Sequence, residues 1–397
     1  MKPIFLLFTC SIFICSCTVF QLTKHKNKEK LVAYNRFEKF GMKKNTLTIK
    51  SSFANNEQYD MALDLGAGLT TLLQKSGLNY LETLSPVLAF GKTISADNKK
   101  TKNNFYMVGT INTNTFKLTN AFLPAIPNFQ ASPCNNFSGV WGADTFDGKI
   151  LILKMEDSTM AVFDTLPLLN EWTLIESTYK YPFFYVTLEI CEKKIKLLFD
   201  SGCSSGIVVS KDYIAKNLPE YNQLISGITQ WTGKAFITAS GQIRSDTTFK
   251  AIINKAKWGS YSIDSIPILM NNTIKRNVIG MEVFKRFNIL LDYKNEKIYI
   301  QNNPNYKNPT TKSFFVKMGF SVINSRENLI SVAVLQVNSP AEKAGLKVGD
   351  QVLSINNIKS DPNNNCEIVK IFSELDSNNS NNEVVIKRGD ETLKFVL

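Results

Sequence analysis

Apolar and polar residues alternate along much of the chain, which predicts strands rather than long helices. Residues 184–190 (Phe-Tyr-Val-Thr-Leu-Glu-Ile) and residues 47–50 (Leu-Thr-Ile-Lys) show this pattern. A period of two residues sends every second side chain to one face of a sheet, and here that face is apolar. The pattern therefore predicts a mostly β fold.

A long-period repeat organises the middle of the chain. An apolar strand that enters Asp-x-Gly occurs at residues 61–66 (Met-Ala-Leu-Asp-Leu-Gly) and again at residues 197–202 (Leu-Leu-Phe-Asp-Ser-Gly). An apolar-apolar-Gly triplet follows each strand, 78 residues after Asp64 at Gly142 and 80 residues after Asp200 at Gly280. We interpret this as a duplicated, mostly β unit of about 135 residues.

The duplication suits one kind of chemistry. Two copies related by a pseudo-twofold axis would bring Asp64 and Asp200 together at the axis. Two adjacent carboxylates cannot both ionise cheaply, so they share a proton. The charged carboxylate can then take a proton from water while the protonated one polarises a peptide carbonyl.

Composition narrows the alternatives to this chemistry. The 397 residues include one histidine, His25, which excludes histidine-based nucleophile systems and histidine-ligated metals from a folded site. The hydrophobic content of 44% is high enough to fill cores, so wholesale disorder is excluded. We therefore expect a site that uses no metal and no cofactor.

Residues 197–210, together with Val278-Ile279-Gly280, resemble a lobe of the pepsin/retropepsin superfamily of aspartic peptidases. The resemblance covers roughly residues 35–303 and implies two lobes, 35–165 and 166–303. It implies that Asp64 and Asp200 are the catalytic pair. It gives supporting roles in the two loops to Gly66, Gly142, Ser201, Gly202 and Gly280. The expected function is an aspartic-type endopeptidase that hydrolyses peptide bonds in extended peptide or protein substrates.

One position departs from the family pattern. The first loop has Leu65 where the family has threonine or serine, so it lacks the hydroxyl that crosses to the other loop. Ser201 supplies that hydroxyl in the second loop. The alternative hypothesis is therefore a catalytically inactive peptide-binding lipoprotein of the same fold. Two glycine-containing segments, at Gly91-Lys92 and Gly233-Lys234, are predicted as the turns of candidate flaps.

The sequence of the C-terminal part predicts a separate module. Residues 302–311 are rich in Asn and Pro, which is typical of a linker. Residues 313–397 resemble a PDZ domain of the bacterial protease-associated type, with Ser339-Pro340 starting a short helix that Gly345 ends. The resemblance implies that peptide C-termini bind by strand addition, with their carboxylate at Met318-Gly319-Phe320. The alternative is a PDZ domain used only for packing or assembly.

The N-terminus resembles a bacterial lipoprotein signal. Residues 1–16, with an apolar run from Ile4 to Ile14, are predicted to be the signal peptide, and Cys17, which follows it, is expected to carry lipid. Residues 17–34 are predicted to be a basic tether. The alternative is an ordinary secretory signal that happens to contain cysteines. We expect an exported monomer, anchored by lipid in the bacterial cell envelope, that does not bind nucleic acid. Cys134, Cys191, Cys203 and Cys366 show no metal-ligand spacing, and the sequence selects no disulfide pair.

Overall fold

The structure is a computed structural model that describes residues 26, 28–43, 45–73, 81, 83–94, 100–126, 137–190, 192–217, 225–238, 241–273, 275–307, 314–324, 329–375 and 382–397. Strands predominate among these residues, which confirms the prediction of a mostly β fold. The predicted signal peptide at 1–16, the lipid attachment at Cys17, and the cysteines Cys134 and Cys191 lie outside the described residues.

The first half of the chain forms a sheet in which the strand leading to Asp64 lies near the centre. The strand order is β1-β9-β6-β10-β5-β4-β8-β7, and β3 pairs with β4. The strands are β1 (Lys30–Ala33), β3 (Gly41–Lys43), β4 (Thr46–Ser52), β5 (Gln58–Asp64), β6 (Thr71–Leu73), β7 (Pro86–Ile94), β8 (Lys100–Asn112), β9 (Phe116–Ile126) and β10 (Gly139–Gly142).

The second half repeats this arrangement. Its strands are β14 (Ser177–Lys180), β15 (Phe183–Ile190), β16 (Lys193–Phe199), β17 (Ile207–Val209), β18 (Ile225–Thr238), β19 (Gly241–Trp258), β20 (Tyr261–Met270) and β21 (Val278–Ile279). The order β15-β16-β21-β17-β20 matches β4-β5-β10-β6-β9. In the first half, β10 is parallel to β5, which leads to Asp64, and antiparallel to β6, which comes after Asp64 in the chain. In the second half, β21 is likewise parallel to β16 and antiparallel to β17. The sequence repeat predicted this duplication.

A third sheet joins the two halves. It contains β2 (Phe37–Lys39), β11 (Ile150–Lys154), β12 (Thr159–Phe163), β13 (Thr173–Leu174), β22 (Phe287–Asp292) and β23 (Lys297–Asn302). Its central pair is antiparallel, with Ile150 opposite Asp292 and Leu153 opposite Ile289. The two copies thus meet through the same segment of each, which is how a twofold contact is built. One apolar core runs through both halves, and the rings of Phe199 and Phe284 stack within it at 4.0 Å.

Short helices occupy corresponding places in the two halves. A 3₁₀ helix at Ala143–Phe146 follows β10, and helix α2 (Met281–Phe284) follows β21. Helix α1 (Lys211–Asn217) follows β17.

Two local predictions are wrong. Residues 30–33 of the predicted tether form β1, which pairs with β9, because Leu31 and Ala33 give this basic segment an apolar face that packs on the core. The glycines predicted in flap turns lie inside strands instead, Gly91 opposite Asn103 and Gly233 opposite Ser245. Both belong to long hairpins, β7–β8 in the first half and β18–β19 in the second.

The C-terminal module has its own core, which includes Phe320 and Phe372. Its elements are α3 (Phe314–Met318), β24 (Phe320–Asn324), β25 (Ile330–Gln336), α4 (Pro340–Ala344), β26 (Gln351–Ile355), β27 (Ile358–Lys359), α5 (Asn365–Glu374), β28 (Glu383–Arg388) and β29 (Glu391–Val396). The Ser339 side chain caps α4, and Gly345 ends it at a φ of 101°, as predicted.

The C-terminal module is joined to the second half by strand pairing. Strand β25 lies antiparallel to β18, with Thr232 opposite Leu335 and Gly233 opposite Val334. The Val337 amide also donates to the Gln230 carbonyl at 2.8 Å. The hairpin β18–β19 therefore shares a continuous sheet with the C-terminal module.

Because the joining sheet holds both halves, a cavity in it should weaken both together. We predict that Leu291→Ala, at a fully buried position opposite Leu151, lowers the free energy of unfolding by ~2–5 kcal/mol. Hydrogen exchange should accelerate in β5 and β16 alike. The matched control is Leu168→Ala, because Leu168 is 86% exposed. Faster exchange in only one half would contradict a shared core.

Candidate active site

The two aspartates end equivalent strands and are held by equivalent loops. Asp64 is the last residue of β5, and its Oδ1 accepts hydrogen bonds from the amides of Gly66 and Ala67, both at 3.0 Å. Asp200 directly follows β16, and its Oδ1 accepts from the amides of Gly202 and Cys203 at 2.9 and 3.1 Å. Each carboxylate is therefore oriented by its own loop.

The loops also interlock. A Cβ atom on Gly66 would lie 2.3 Å from Cγ of Asp200, and one on Gly202 would lie 2.4 Å from Cγ of Asp64. No side chain fits at those separations, so glycine at both positions is a condition for the two carboxyl groups to meet. The two carboxyl groups do meet, and the side chains of Asp64 and Asp200 are hydrogen-bonded to each other.

This contact changes how the two groups ionise. Burial and the negative charge of Asp64 raise the pKa of Asp200 well above its ordinary value. Burial also raises the pKa of Asp64, although its hydrogen bond to Asp200 and the positive charge of Arg276 act in the opposite direction. The pair therefore favours one shared proton, and its titrations belong to the pair as a whole.

Ser201 crosses from the second loop to the first, as predicted for it. Its buried Oγ donates to the Leu63 carbonyl and accepts from the Leu65 amide, both at 2.9 Å. The side chain of Leu65 is itself buried in the core at 2% exposure. The first loop thus replaces a reciprocal hydroxyl with apolar packing.

The two strand-end glycines make equivalent contacts behind the loops. A Cβ on Gly142 would lie 2.5 Å from the Leu69 carbonyl carbon, and one on Gly280 would lie 2.4 Å from the Cys203 carbonyl oxygen. The structure therefore brings together all the residues predicted for this site: Asp64, Gly66, Gly142, Asp200, Ser201, Gly202 and Gly280.

Sequence reasoning missed two residues beside the pair. Arg276 acts electrostatically on Asp64, and the Phe183 ring lies 2.9 Å from where a Cβ on Gly68 would be. The sequence position of Arg276, four residues before Gly280, could have identified it as a residue of the site. No feature of the sequence marks Phe183 in this way. The thiol of Cys203 is free, and burial raises its pKa, which disfavours a thiolate nucleophile.

The residues predicted to bind a terminal carboxylate in the C-terminal module lie where a helix meets a strand. Met318 ends α3, Phe320 begins β24, and both side chains are buried in the module's core. The Gly319 amide donates to the Phe315 carbonyl at 3.0 Å. Binding of a terminal carboxylate at these three residues stays a prediction, and the Gly319 amide would have to leave Phe315 to take part.

The described residues contain neither a candidate membrane-spanning helix nor a candidate metal-binding cluster. None of their helices has the length and apolar character needed to cross a membrane. Within the same residues, no group of three or more potential ligands among His, Cys, Asp and Glu is placed to hold a metal ion.

Comparison with known proteins identifies the C-terminal module. A family model described as a PDZ domain matches residues 331–388, so the chain contains a PDZ domain there. The match begins in β25 and ends with β28, leaving α3, β24 and β29 of the predicted domain 313–397 outside it. No curated protein matches the chain. PDZ domains bind extended peptides by strand addition, so a peptide or protein partner is indicated.

The crossing bonds of Ser201 should stabilise the interlocked loops. We predict that Ser201→Ala lowers the free energy of unfolding by ~1–3 kcal/mol, because the buried Leu63 carbonyl and Leu65 amide both lose their partner. Denaturant unfolding measures this. Ser204→Ala, in the same loop but exposed, is the control. Equal stability of the two variants would show that the crossing bonds contribute nothing.

Proposed function

We propose that residues 35–303 form a two-lobed aspartic-type endopeptidase of the pepsin/retropepsin kind. The observation that carries the proposal is the interlocked pair of loops, in which Gly66 faces Asp200, Gly202 faces Asp64, and the two carboxyl groups share a proton. The repeated strand order around both loops supports it. One chain supplies both aspartates, so the proposed enzyme acts as a monomer.

In the proposed mechanism, the pair activates a water molecule. The ionised Asp64 takes a proton from water as the water oxygen attacks the peptide carbonyl, and the protonated Asp200 donates a hydrogen bond to the carbonyl oxygen. The resulting tetrahedral intermediate breaks its C–N bond when the leaving nitrogen receives a proton from the pair. The carboxyl groups then return to their starting state.

An inactive peptide-binding protein of the same fold is the second candidate. Leu65 favours the inactive candidate, because it gives the first loop no hydroxyl that could cross to the second loop. Only the second loop supplies a crossing hydroxyl, that of Ser201. The retained carboxylates and their shared proton favour the enzyme. In both versions the chain is exported and anchored to a membrane by lipid on Cys17.

Asparagine variants separate the two candidates. We predict that Asp200→Asn and Asp64→Asn each abolish cleavage of an unfolded protein substrate between acidic and neutral pH. Asparagine keeps the shape and the carbonyl acceptor but cannot share the proton. The control is Asp147→Asn, an exposed position. Wild-type protein that cleaves nothing would favour the inactive candidate, and an Asn variant with wild-type activity would exclude the proposed pair.

The Asp200→Asn variant should also differ from wild type in how its stability depends on pH. A carboxyl whose pKa is raised by folding stabilises the fold most below the unfolded pKa, and this contribution is lost as pH rises toward the folded pKa. Asp200 has such a raised pKa. Asp200→Asn should therefore unfold at higher denaturant concentration than wild type at neutral pH, with a smaller difference near pH 4.

We further propose that the PDZ domain delivers or gates substrate through the hairpin β18–β19. Strand β25 pairs with β18 on one side and with β24 on the other. A peptide added to β24 would extend the sheet that contains the hairpin of the second peptidase half. Peptides with a free apolar C-terminus would then be held near the carboxylate pair at high effective concentration.

Gly233 offers a direct test of this coupling. A Cβ at Gly233 would lie 2.3 Å from the Ala333 carbonyl oxygen, so Gly233→Val should separate β18 from β25. We predict that it lowers kcat/KM by about fivefold or more for substrates with a free apolar C-terminus. Short amidated peptides should be cleaved as before.

The matched control for this test is Gly227→Val. Gly227 lies in the same strand and also has a positive φ, but an added side chain there would meet open space. If Gly233→Val lowers the cleavage of both substrate types equally, the PDZ domain is a structural support. If it changes neither, the paired strands do not serve catalysis.

A further inference from the structure

A pocket of about 360 Å³ opens on the second half of the chain. Its floor is apolar and contains Leu198 and the ring of Tyr185, which lie opposite each other in β16 and β15. The remaining lining residues are Lys180, Lys196, Tyr213, Lys275, Arg276 and Asn277. Among the described residues, no carboxylate lines this pocket.

Carboxylates compensate the cations of this pocket only at a distance, Asp64 that of Arg276 and Glu176 that of Lys196. None of Lys180, Lys196, Lys275 and Arg276 forms an ion pair with a carboxylate in the described part of the chain. Lys196 Nζ donates to a hydroxyl, and Lys275 Nζ donates to a backbone carbonyl, both at 2.9 Å. The pocket therefore keeps an excess of positive charge.

The first half of the chain provides an internal comparison. Four residues before Asp64 stands Asp60, whose carboxylate pairs with Lys43 and Lys50 at 2.7 and 2.9 Å. Four residues before Asp200, the equivalent position is occupied by Lys196. The equivalent positions thus carry an aspartate that pairs with two lysines in the first half and, in the second, a lysine that forms no ion pair in the described part of the chain.

A second position shows the same asymmetry. Arg276 stands four residues before Gly280, whereas Ser138 stands four residues before Gly142. The guanidinium of Arg276 lies 5.4 Å from the ring centre of Phe183. Because the two halves share strand order and loop geometry, these charge differences are not required by the fold.

The pocket adjoins the carboxylate pair. Leu198 lies two residues before Asp200, and the charge of Arg276 reaches Asp64. An extended peptide bound across the pair would therefore pass the pocket on one side of the bond to be cleaved. The corresponding side in the first half has Asp60 with its two lysines.

We infer that this pocket binds an acidic side chain, Asp or Glu, of the peptide substrate. This inference rests on the proposed function and defines its substrate class. The carboxylate meets the four cations while the carbon chain lies against Tyr185 and Leu198. The acidic residue is recognised on one side of the cleaved bond only, since the first half has no equivalent pocket charge.

The test measures peptide binding to the full chain carrying Asp200→Asn, which prevents cleavage. Labelled peptides with an amidated C-terminus, which offers no terminal carboxylate to the PDZ domain, carry a single Glu or Gln at each position in turn. We expect one position where Glu binds about fivefold more tightly than Gln by fluorescence anisotropy at low salt. Adding Lys196→Glu should remove or reverse that preference.

The control is Lys216→Glu, which makes the same charge change on the exposed side of α1 and should keep the preference. A Glu preference at no position, or one that survives Lys196→Glu, would overturn the proposal. Loss of binding to phosphatidylglycerol vesicles in Lys196→Glu, without any peptide preference, would also overturn it and assign the pocket to lipid headgroups.

Cleavage by the wild-type chain separates this proposal from the proposed function. If wild type cleaves the peptides without distinguishing Glu from Gln, the pocket proposal is wrong and the peptidase proposal stands. If the Lys196-dependent preference appears but wild type cleaves no peptide, the pocket proposal stands and the peptidase proposal is wrong.

Discussion

The close approach of each aspartate to the glycine of the opposite loop is the constraint on which the middle of this protein depends. Carboxyl groups at such separations repel each other unless a proton is shared and the loops are held from behind. The two loops are held in place by the amides within each loop, by Ser201 between the loops and by the close packing of Gly142 and Gly280 behind them. The joining sheet sets the distance between the halves. Together these contacts keep in place a pair that would otherwise separate.

Duplication supplies a nearly symmetrical frame, and substitutions within it make the two halves different. Leu65 stands opposite Ser201, so one loop contributes apolar packing and the other a crossing hydroxyl. Lys196 occupies the place that Asp60 has in the first half. A peptide has a direction, so unequal halves would suit the proposed enzyme, which must bind its substrate in one orientation. These positions differ between the halves although the strand order around them is the same.

The pairing of β18 with β25 connects the PDZ domain to the second half of the duplicated unit by backbone hydrogen bonds. Gly233 permits it, since any side chain there would meet the backbone of β25. Strand pairing transmits position more rigidly than a linker does, because a shift of β25 must move β18 or break the ladder. The PDZ domain and the hairpin β18–β19 therefore belong to one sheet.

Much of this architecture follows from the sequence alone. Alternating apolar residues predicted the strands, and the repeated Asp-x-Gly with its later apolar-apolar-Gly predicted which residues meet. These features are local, since they arise from side-chain periodicity and from glycine where a loop must pass closely. Ser339 and Gly345 similarly mark the ends of α4.

Tertiary structure alone decided the rest. The pairing of β1 with β9 and of β18 with β25 depends on which free strand edge a distant segment reaches, and edges of this kind have no sequence pattern. The charge of a pocket likewise depends on spatial neighbours. Lys196 in the sequence is one lysine among many, and only its place beside Lys180, Lys275 and Arg276 makes it part of a candidate binding site.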